Sequence, residues 1–454
     1  MTISAPAVHD RLTPRARLLL LVLCGAMFLD ALDVSMKGVA LPSIGAELGL
    51  ATGSLQWVVS GYVLGFGGFL LLGGRAADLL GRRRMLVGAL AVFAVATALG
   101  GFATSGPLLI AARFVTGISA AFSAPAGFSI ITTSFTEGPV RNKALSIYTA
   151  TGATGFSLGL VAGGLLTEVS WRWVFHAPVL VALATLAGAL AVVPRSAPAP
   201  GRGFDVAGSA TVTAAMLLLV FTLVQAPDAG WASVRTLGSL VGVAALLTAF
   251  AAIERRVANP LVRLGILRSG ALVRANVGAM SLLGGWVGAL FLVTLYLQDV
   301  RGWSALETGL AVCPSGLVVA VLAPRIAAPL VGRFGSGRVA LAGLTSSVAA
   351  YALLLSLDAS TGYWTLMLPA FLLVGLAFTL TYGPLTMAAA DSVPAADQGL
   401  AGGLVNTAFQ VGPALTLGVV SAVTATTGLQ AALVVPLIVA TLGVATMLPS
   451  LRRA

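Results

Sequence analysis

Charged residues are scarce in this sequence. Asp, Glu, Lys and Arg make up 9% of its 454 residues, whereas 58% are hydrophobic and the mean hydropathy is +1.00. Ordinary soluble domains carry about 25% charged residues, so this composition excludes a water-soluble surface over most of the chain. The 54 glycines agree with this, because membrane helices use small residues to pack closely. The composition predicts an all-α polytopic membrane protein.

Cysteine and histidine are almost absent. The two cysteines, Cys24 and Cys313, fall inside apolar segments, and the two histidines, His9 and His176, are isolated. Such a sparse set offers neither a disulfide framework nor the ligand spacing of a metal site. It also cannot supply a Ser/His/Asp set. We therefore expect no metal, no cofactor and no enzymatic activity.

Lysine is also rare, since arginine provides 24 of the 26 basic residues behind the net charge of +11. A basic protein that binds nucleic acid presents its Lys and Arg on an exposed soluble face. Here the basic residues stand singly or in short runs between apolar segments. This distribution excludes nucleic acid and is typical of loops on the cytoplasmic side of a membrane.

Long apolar segments are the dominant feature of the chain. Each is near the ~20 residues that a membrane-spanning helix needs. The fourteen segments lie near residues 18–41, 54–73, 85–104, 107–127, 144–166, 173–194, 207–226, 236–253, 275–297, 308–330, 339–357, 364–387, 400–424 and 429–449. A Pro/Gly/Ala stretch at residues 195–203 has the composition of a linker. We predict a six-helix bundle over residues 1–194, a linker with two extra helices over 195–274, and a second six-helix bundle over 275–454.

The basic residues also predict the orientation. With the N-terminus inside, 21 of the 26 lie on cytoplasmic loops, whereas three (Arg172, Arg235 and Arg301) lie outside. Lys37 and Arg113 fall within spans. This asymmetry follows the positive-inside rule and predicts that both termini are cytoplasmic.

Three ionisable residues lie close together in the first predicted helix. Asp30, Asp33 and Lys37 are spaced by three and four residues, which places them on one helical face. A single charge at the bilayer centre costs ~2.5–3.5 kcal/mol on insertion scales, so three require partners or a polar cavity. An aspartate at this depth can gain and lose a proton, because burial and nearby cations act on its ionisation in opposite directions. An Asp33–Lys37 pair that only neutralises itself is the other interpretation.

Several motifs connect the chain to a known family. The loop after the second span, residues 74–84, has the pattern G-x-x-x-D-x-x-G-R-R-R, and a fainter version follows the tenth span at residues 332–338. The chain resembles the fourteen-helix drug:proton antiporters of the major facilitator superfamily. The other matching segments are residues 32–42 in helix one, Arg113 with Gly117 in helix four, Gly155, Gly159, Gly163 and Gly164 in helix five, and Trp171, Arg172, Trp173 and Phe175 before helix six.

The resemblance implies the major facilitator fold and export of small molecules driven by the proton gradient. It implies Asp33 with Arg113 as the proton-coupling pair, and Asp30 is the contending acid. It further implies an inward-side latch formed by Gly74, Asp78, Gly81, Arg82, Arg83 and Arg84. The expected partners are a small-molecule substrate, protons and the lipid bilayer. The resemblance and the arginine bias together indicate a bacterial cytoplasmic membrane. We expect the protein to be a monomer there.

Two positions depart from the family pattern. Lys37 stands where an apolar residue is usual, and Leu160 stands where the helix-five motif has proline. Lys37 could pair with Asp33, or it could face the cavity and favour anionic or zwitterionic substrates. These departures leave a second hypothesis open, a proton-coupled transporter of one specific metabolite, with an anion as one option.

Polar and aromatic residues within the other spans are candidates for lining a central cavity. For each of them, ordinary hydrogen bonding between helices or anchoring at the membrane interface is an equal interpretation. The candidates are Gln56, Trp57, Tyr62, Asn276, Tyr296, Tyr382, Asn406 and Gln410.

Overall fold

The described part of the chain is helical. A computed structural model describes residues 13–50, 52–136, 138–195, 205–257, 260, 264–358, 362–394 and 398–452. These residues form α-helices joined by short helical turns and loops, and they contain no β-strand. The predicted all-α fold is therefore confirmed.

Fourteen helical segments of the described residues are long and apolar enough to cross a membrane, as predicted. The first eight are α1 (Pro14–Leu48), α2 (Thr52–Leu80), α3 (Arg82–Gly101), α4 (Gly106–Ser134), α5 (Pro139–Val169), α6 (Trp173–Val192), α7 (Val206–Ala229) and α8 (Val234–Glu254). The other six contain α9 (Gly270–Leu295), α10 (Ala305–Leu322) with α11 (Ala328–Phe334), α12 (Ser336–Leu354), α13 (Leu368–Asp391), α14 (Gln398–Thr427), and α15 (Leu429–Ala432) with α16 (Val434–Met447).

Capping explains why α1 extends beyond the apolar segment that predicts it. The hydroxyl of Thr13 accepts a hydrogen bond from the Ala16 amide at 3.2 Å, so the helix begins at Pro14. At the other end, Gly49 adopts the left-handed conformation with φ +62° and its amide bonds back to Gly45. The apolar pattern indicates only the part of the helix that lies in the membrane core.

The two halves repeat the same packing. Helix α1 packs on α5 as α9 packs on α14, α2 packs on α4 as α10 packs on α13, and α3 packs on α6 as α12 packs on α16. A glycine with positive φ precedes the third span of each half, Gly81 at +101° and Gly335 at +83°. The faint loop repeat in the sequence therefore corresponds to a repeated turn in the structure.

Close glycine contacts bring α2 and α4 together. A Cβ added to Gly65 would lie 2.9 Å from the Ile118 amide nitrogen, and one added to Gly117 would lie 3.0 Å from the Phe66 amide nitrogen. Side chains at these positions would push the two backbones apart. This crossing places α4 beside the middle of α2.

The two extra helices, α7 and α8, pack against each other, and α7 also contacts α2 and α14. Leu217 of α7 fits against Gly68, and Trp231, which follows α7, lies against Gly418 of α14. The helix pair thus touches both six-helix sets. Residues 196–204, which contain most of the predicted linker, lie outside the described residues, and the domain boundaries stay predictions.

Candidate functional site

Asp33 is the anionic centre of a buried ion cluster. Its Oδ1 pairs with Lys37 Nζ, and its Oδ2 lies 2.5 Å from Arg113 Nη1. The exposed fraction is 0% for Asp33, 0% for Lys37 and 2% for Arg113. The structure therefore brings together three of the four ionisable residues that the sequence singles out, and Lys37 pairs with Asp33 instead of facing a cavity.

The α2–α4 crossing positions Arg113. Because the backbones are close, Arg113 Nε donates to the Val58 carbonyl oxygen of α2 at 3.0 Å. The guanidinium lies over the Tyr62 ring, 4.8 Å from its centroid. Arginine can hold a carboxylate, a carbonyl and an aromatic face together because its planar group carries five donors. Tyr62, a predicted cavity residue, instead supports the ion cluster.

Phe175 covers the other cation. Lys37 Nζ lies 4.8 Å from the centroid of the Phe175 ring, which is buried at the start of α6. The neighbouring residues of the W-R-W-x-F motif hold α1 in place through Glu47. Arg172 Nη2 lies 2.7 Å from Glu47 Oε1, and Trp171 Nε1 donates to Glu47 Oε2 at 2.7 Å. Sequence reasoning missed Glu47, because no local spacing connects it to a motif 124 residues away.

Asp30 lies about one helical turn before Asp33 in α1, and its surroundings differ from those of the Asp33 ion cluster. Its side chain is partly exposed, and Ser123 Oγ of α4 lies 3.4 Å from Asp30 Oδ2. Among the described residues, no Lys or Arg forms an ion pair with Asp30. The two aspartates of helix one are therefore distinct sites.

The helix-five glycines provide the close contact between α5 and α1. A Cβ at Gly155 would lie 2.7 Å from the Phe28 carbonyl oxygen, and at Gly159 it would lie 2.9 Å from the Leu32 carbonyl oxygen. A Cβ added to Gly163 would lie 2.8 Å from the Met36 Cα. The motif therefore fixes the position of the helix that carries Asp30 and Asp33.

Two other residues of helix five face the second half of the molecule. Gly164 packs against Leu306 of α10. A Cβ added to Gly309 of α10 would lie 3.3 Å from the Leu160 Cβ. Leu160, which stands in place of the family's proline, thus lies at the contact between α5 and α10.

The arginines of the loop motif bind other helices of the first half. Arg82 Nη1 donates to Thr133 Oγ1 of α4 at 2.7 Å, and Arg83 Nη2 donates to the Leu190 carbonyl oxygen near the end of α6 at 2.5 Å. In the corresponding loop of the second half, Arg338 Nη2 likewise donates to a carbonyl oxygen, that of Leu451, at 3.4 Å. Gly74 makes an ordinary contact with α4, Arg84 is exposed, and the side chain of Asp78 lies outside the described residues.

Three of the remaining candidates for lining a cavity make hydrogen bonds to backbone carbonyl oxygens. Asn276 and Asn406 donate to carbonyl oxygens of their own helices, at Leu272 (2.8 Å) and Gly402 (2.9 Å). The Tyr296 hydroxyl donates to the Asp358 carbonyl oxygen at 2.5 Å, beyond the end of α9.

Aromatic contacts account for two further candidates. Trp57 packs on Phe221 of α7 at 5.7 Å, and Tyr382 stacks on Phe409 at 4.2 Å between ring centroids. Gln410 is partly exposed, and the side chain of Gln56 lies outside the described residues. Their role in lining a cavity stays a prediction.

Two similar six-helix sets in a multi-pass bundle, with an ion cluster buried where α1, α2 and α4 meet, define a membrane transporter. Comparison with known proteins gives the family. Residues 23–416 match the family model described as the Major Facilitator Superfamily, and residues 275–453 match it again. The chain belongs to the major facilitator superfamily.

Relatives of known name are resistance and export proteins. The chain is 37% identical to the puromycin resistance protein pur8 of Streptomyces alboniger, over 91% of this chain and 82% of that one. It is 36% identical to the cephamycin export protein CmcT of Amycolatopsis lactamdurans, over 91% and 86%.

Solved structures agree with the fold. The human organic anion transporter MFSD10 (TETRAN) superposes with a TM-score of 0.69 at 17% identity, over 96% of this chain and all of that chain. The POT family transporter PepTSo gives 0.68 at 16%, over 98% and 100%. At this identity the likeness concerns the fold alone.

Proposed function

We propose that the protein exports amphipathic small molecules from the bacterial cytoplasm in exchange for protons. The observation that carries this proposal is the buried cluster of Asp33, Lys37 and Arg113 with Asp30 one turn away. Charges are kept within membrane helices at a cost, and in transporters they form proton and substrate pathways. Resistance and export proteins among the relatives support efflux as the direction.

Alternating access would operate between the two six-helix sets. The repeated helix pairing gives each set its own rigid packing, while α5 meets α10 across the contact at Leu160 and Gly309. Rocking of one set against the other would open and close this contact around a central site. The loop motif is proposed to latch the inward side during this motion, and in the described conformation Arg82 and Arg83 bind α4 and α6 of their own set.

The proposed cycle begins with proton uptake from outside, which releases the substrate. The proton leaves on the cytoplasmic side as the next substrate binds. The charge asymmetry of the loops supports an orientation with both termini in the cytoplasm of a bacterial cell. The proposed working form is a monomer in the bilayer.

In the hypothesis of one specific metabolite, a preference for an anion would depend on a free Lys37. Lys37 is fully buried and pairs with Asp33, so its charge is not presented to a substrate. No other described contact favours an anion, and amphipathic export remains the proposal.

Transport by purified protein in proteoliposomes tests the function. An imposed pH gradient should drive accumulation of a cationic amphipath such as ethidium on the acidic side. Dissipating the gradient with nigericin should stop this accumulation. Neutral and anionic amphipaths in the same vesicles would define the substrate class.

Two results would contradict the proposal. If none of these compounds moves in response to the gradient, the protein is not a drug:proton exporter. If the accumulation is unchanged by nigericin, transport occurs without proton coupling.

A further inference from the structure

Asp33 has both carboxylate oxygens committed to cations. Lys37 holds Oδ1 and Arg113 holds Oδ2, and all three side chains are buried. A proton on Asp33 would leave two buried cations close together with no anion between them, which is strongly unfavourable. Asp33 is therefore poorly placed to exchange a proton in each cycle.

Asp30 has a weaker and more adaptable partner. The Ser123 hydroxyl lies 3.4 Å from Asp30 Oδ2 but 3.2 Å from the Ala120 carbonyl oxygen, and it has only one proton to donate. When Asp30 is protonated, it can donate to the same hydroxyl oxygen, since a hydroxyl also accepts. Both protonation states of Asp30 thus have a partner, and its side chain, unlike that of Asp33, is not fully buried.

The net charge of the four ionisable residues supports exchange of a proton for a cation at Asp30. With every group ionised, Asp30 and Asp33 balance Lys37 and Arg113, and the sum is zero. A proton on Asp30 changes the sum to +1, and a monovalent cation bound beside ionised Asp30 has the same effect. A proton and a cationic substrate can therefore replace each other one for one.

The other groups around Asp30 come from α1 itself and from α2, α4, α5 and α13. Tyr148 of α5 interacts electrostatically with both Asp30 and Tyr382 of α13. Tyr62 of α2 is in range of both aspartates. The titratable and charged groups in this environment are Cys24, Asp33 and Lys37 of α1, Tyr62 of α2, Arg113 of α4, Tyr148 of α5 and Tyr382 of α13.

The geometry points to Asp30, and not Asp33, as the residue that carries the coupled proton, and to a cationic amphipath as the substrate that displaces it. In this assignment Asp33 is a positioning residue, fixed by Lys37 and Arg113. The inference rests on the proposed proton-coupled export, because it names the acid that performs the coupling.

The experiment compares Asp30→Asn with the charge-conserving double variant Asp33→Asn/Lys37→Met in proteoliposomes. Two rates are measured with ethidium: accumulation driven by a pH gradient, and exchange of labelled for unlabelled ethidium without a gradient. Asp30→Asn should lose both rates while remaining folded, because it removes the carboxylate that receives the cation, and Asp30→Glu should recover both. The double variant leaves Arg113 without its carboxylate, so its rates should fall. Accumulation and exchange should fall together in it, because proton and cation still meet at Asp30.

The opposite pattern overturns the assignment. Gradient-driven accumulation in Asp30→Asn, or its loss in a double variant that still exchanges, would place the proton on Asp33. Exchange of ethidium by Asp30→Asn at the rate of the unmodified protein would contradict a carboxylate shared by proton and substrate. Failure of the proposed function is a separate result, because the unmodified protein would then show no accumulation driven by the gradient.

Discussion

At the scale of single residues, the central feature is a lysine that the family pattern does not contain. Lys37 provides a second fixed cation for Asp33, while Arg113 provides the first. Breaking a buried ion pair costs ~3–5 kcal/mol when the remaining charge has no other partner. When Lys37 is replaced, Asp33 keeps its ion pair with Arg113, so the loss in the free energy of unfolding should be smaller.

The variant Lys37→Met tests this interpretation. We expect a lower melting temperature in detergent, because Asp33 loses one of its two ion pairs. The relative transport of cationic and anionic substrates should stay the same, because the lysine is buried away from the substrate. Thermal unfolding and competition between substrates of opposite charge measure the two effects.

Lys143→Met is the matched control, since Lys143 is exposed and is the only other lysine in the chain. It should change neither measurement. A shift of Lys37→Met toward cationic substrates would show that the lysine contacts the cargo.

Sequence reasoning gave each pair of the ion cluster, Asp33 with Lys37 and Asp33 with Arg113, but could not establish that both exist at once. The spacing of Asp30, Asp33 and Lys37 is sufficient to place them on one helical face. It does not show that Asp33 alone receives both cations, because this depends on how closely α4 approaches α1 and α2. That approach is determined by glycine contacts such as Gly117 on Tyr62 and Phe66, which lie far apart in the sequence.

At the scale of helices, small residues determine which pairs touch. Helix α5 uses two faces: Gly155, Gly159 and Gly163 pack on α1, whereas Leu160 and Gly164 pack on α10. Through the first face, α5 packs on α1 within the same six-helix set. The second face makes a contact that alternating access requires to break and reform.

A disulfide across the second face should stop transport. Leu160→Cys with Gly309→Cys, in a chain with Cys24→Ala and Cys313→Ser, places the two Cβ atoms 3.3 Å apart, close to the ~3.8 Å typical of disulfides. Oxidation should cross-link α5 to α10 and abolish ethidium transport in proteoliposomes. A reductant should restore it.

The single variant Leu160→Cys in the same background provides the control and should transport under both conditions. Full activity in the cross-linked protein would contradict movement of α5 against α10 during the cycle.

At the scale of the whole molecule, the apolar segments predict fourteen spans, and the described residues form fourteen helices long and apolar enough to cross a membrane. Hydropathy succeeds here because each spanning helix must satisfy its own backbone within lipid. The repeated contact of Arg83 with Leu190 and of Arg338 with Leu451 was not predictable, because the two loops share few residues. The relation between the halves is stronger in their packing than in their sequence.

The whole molecule is proposed to exchange a proton for a substrate at a buried charge cluster. Calorimetric titration of ethidium into the purified protein, in buffers of different ionisation enthalpy, counts the protons released on binding. We expect roughly one proton released per cation bound by the unmodified protein, because one acid must ionise to receive the cation. Binding of ethidium with no proton release, across the pH range in which the protein transports, would contradict a site shared by proton and substrate.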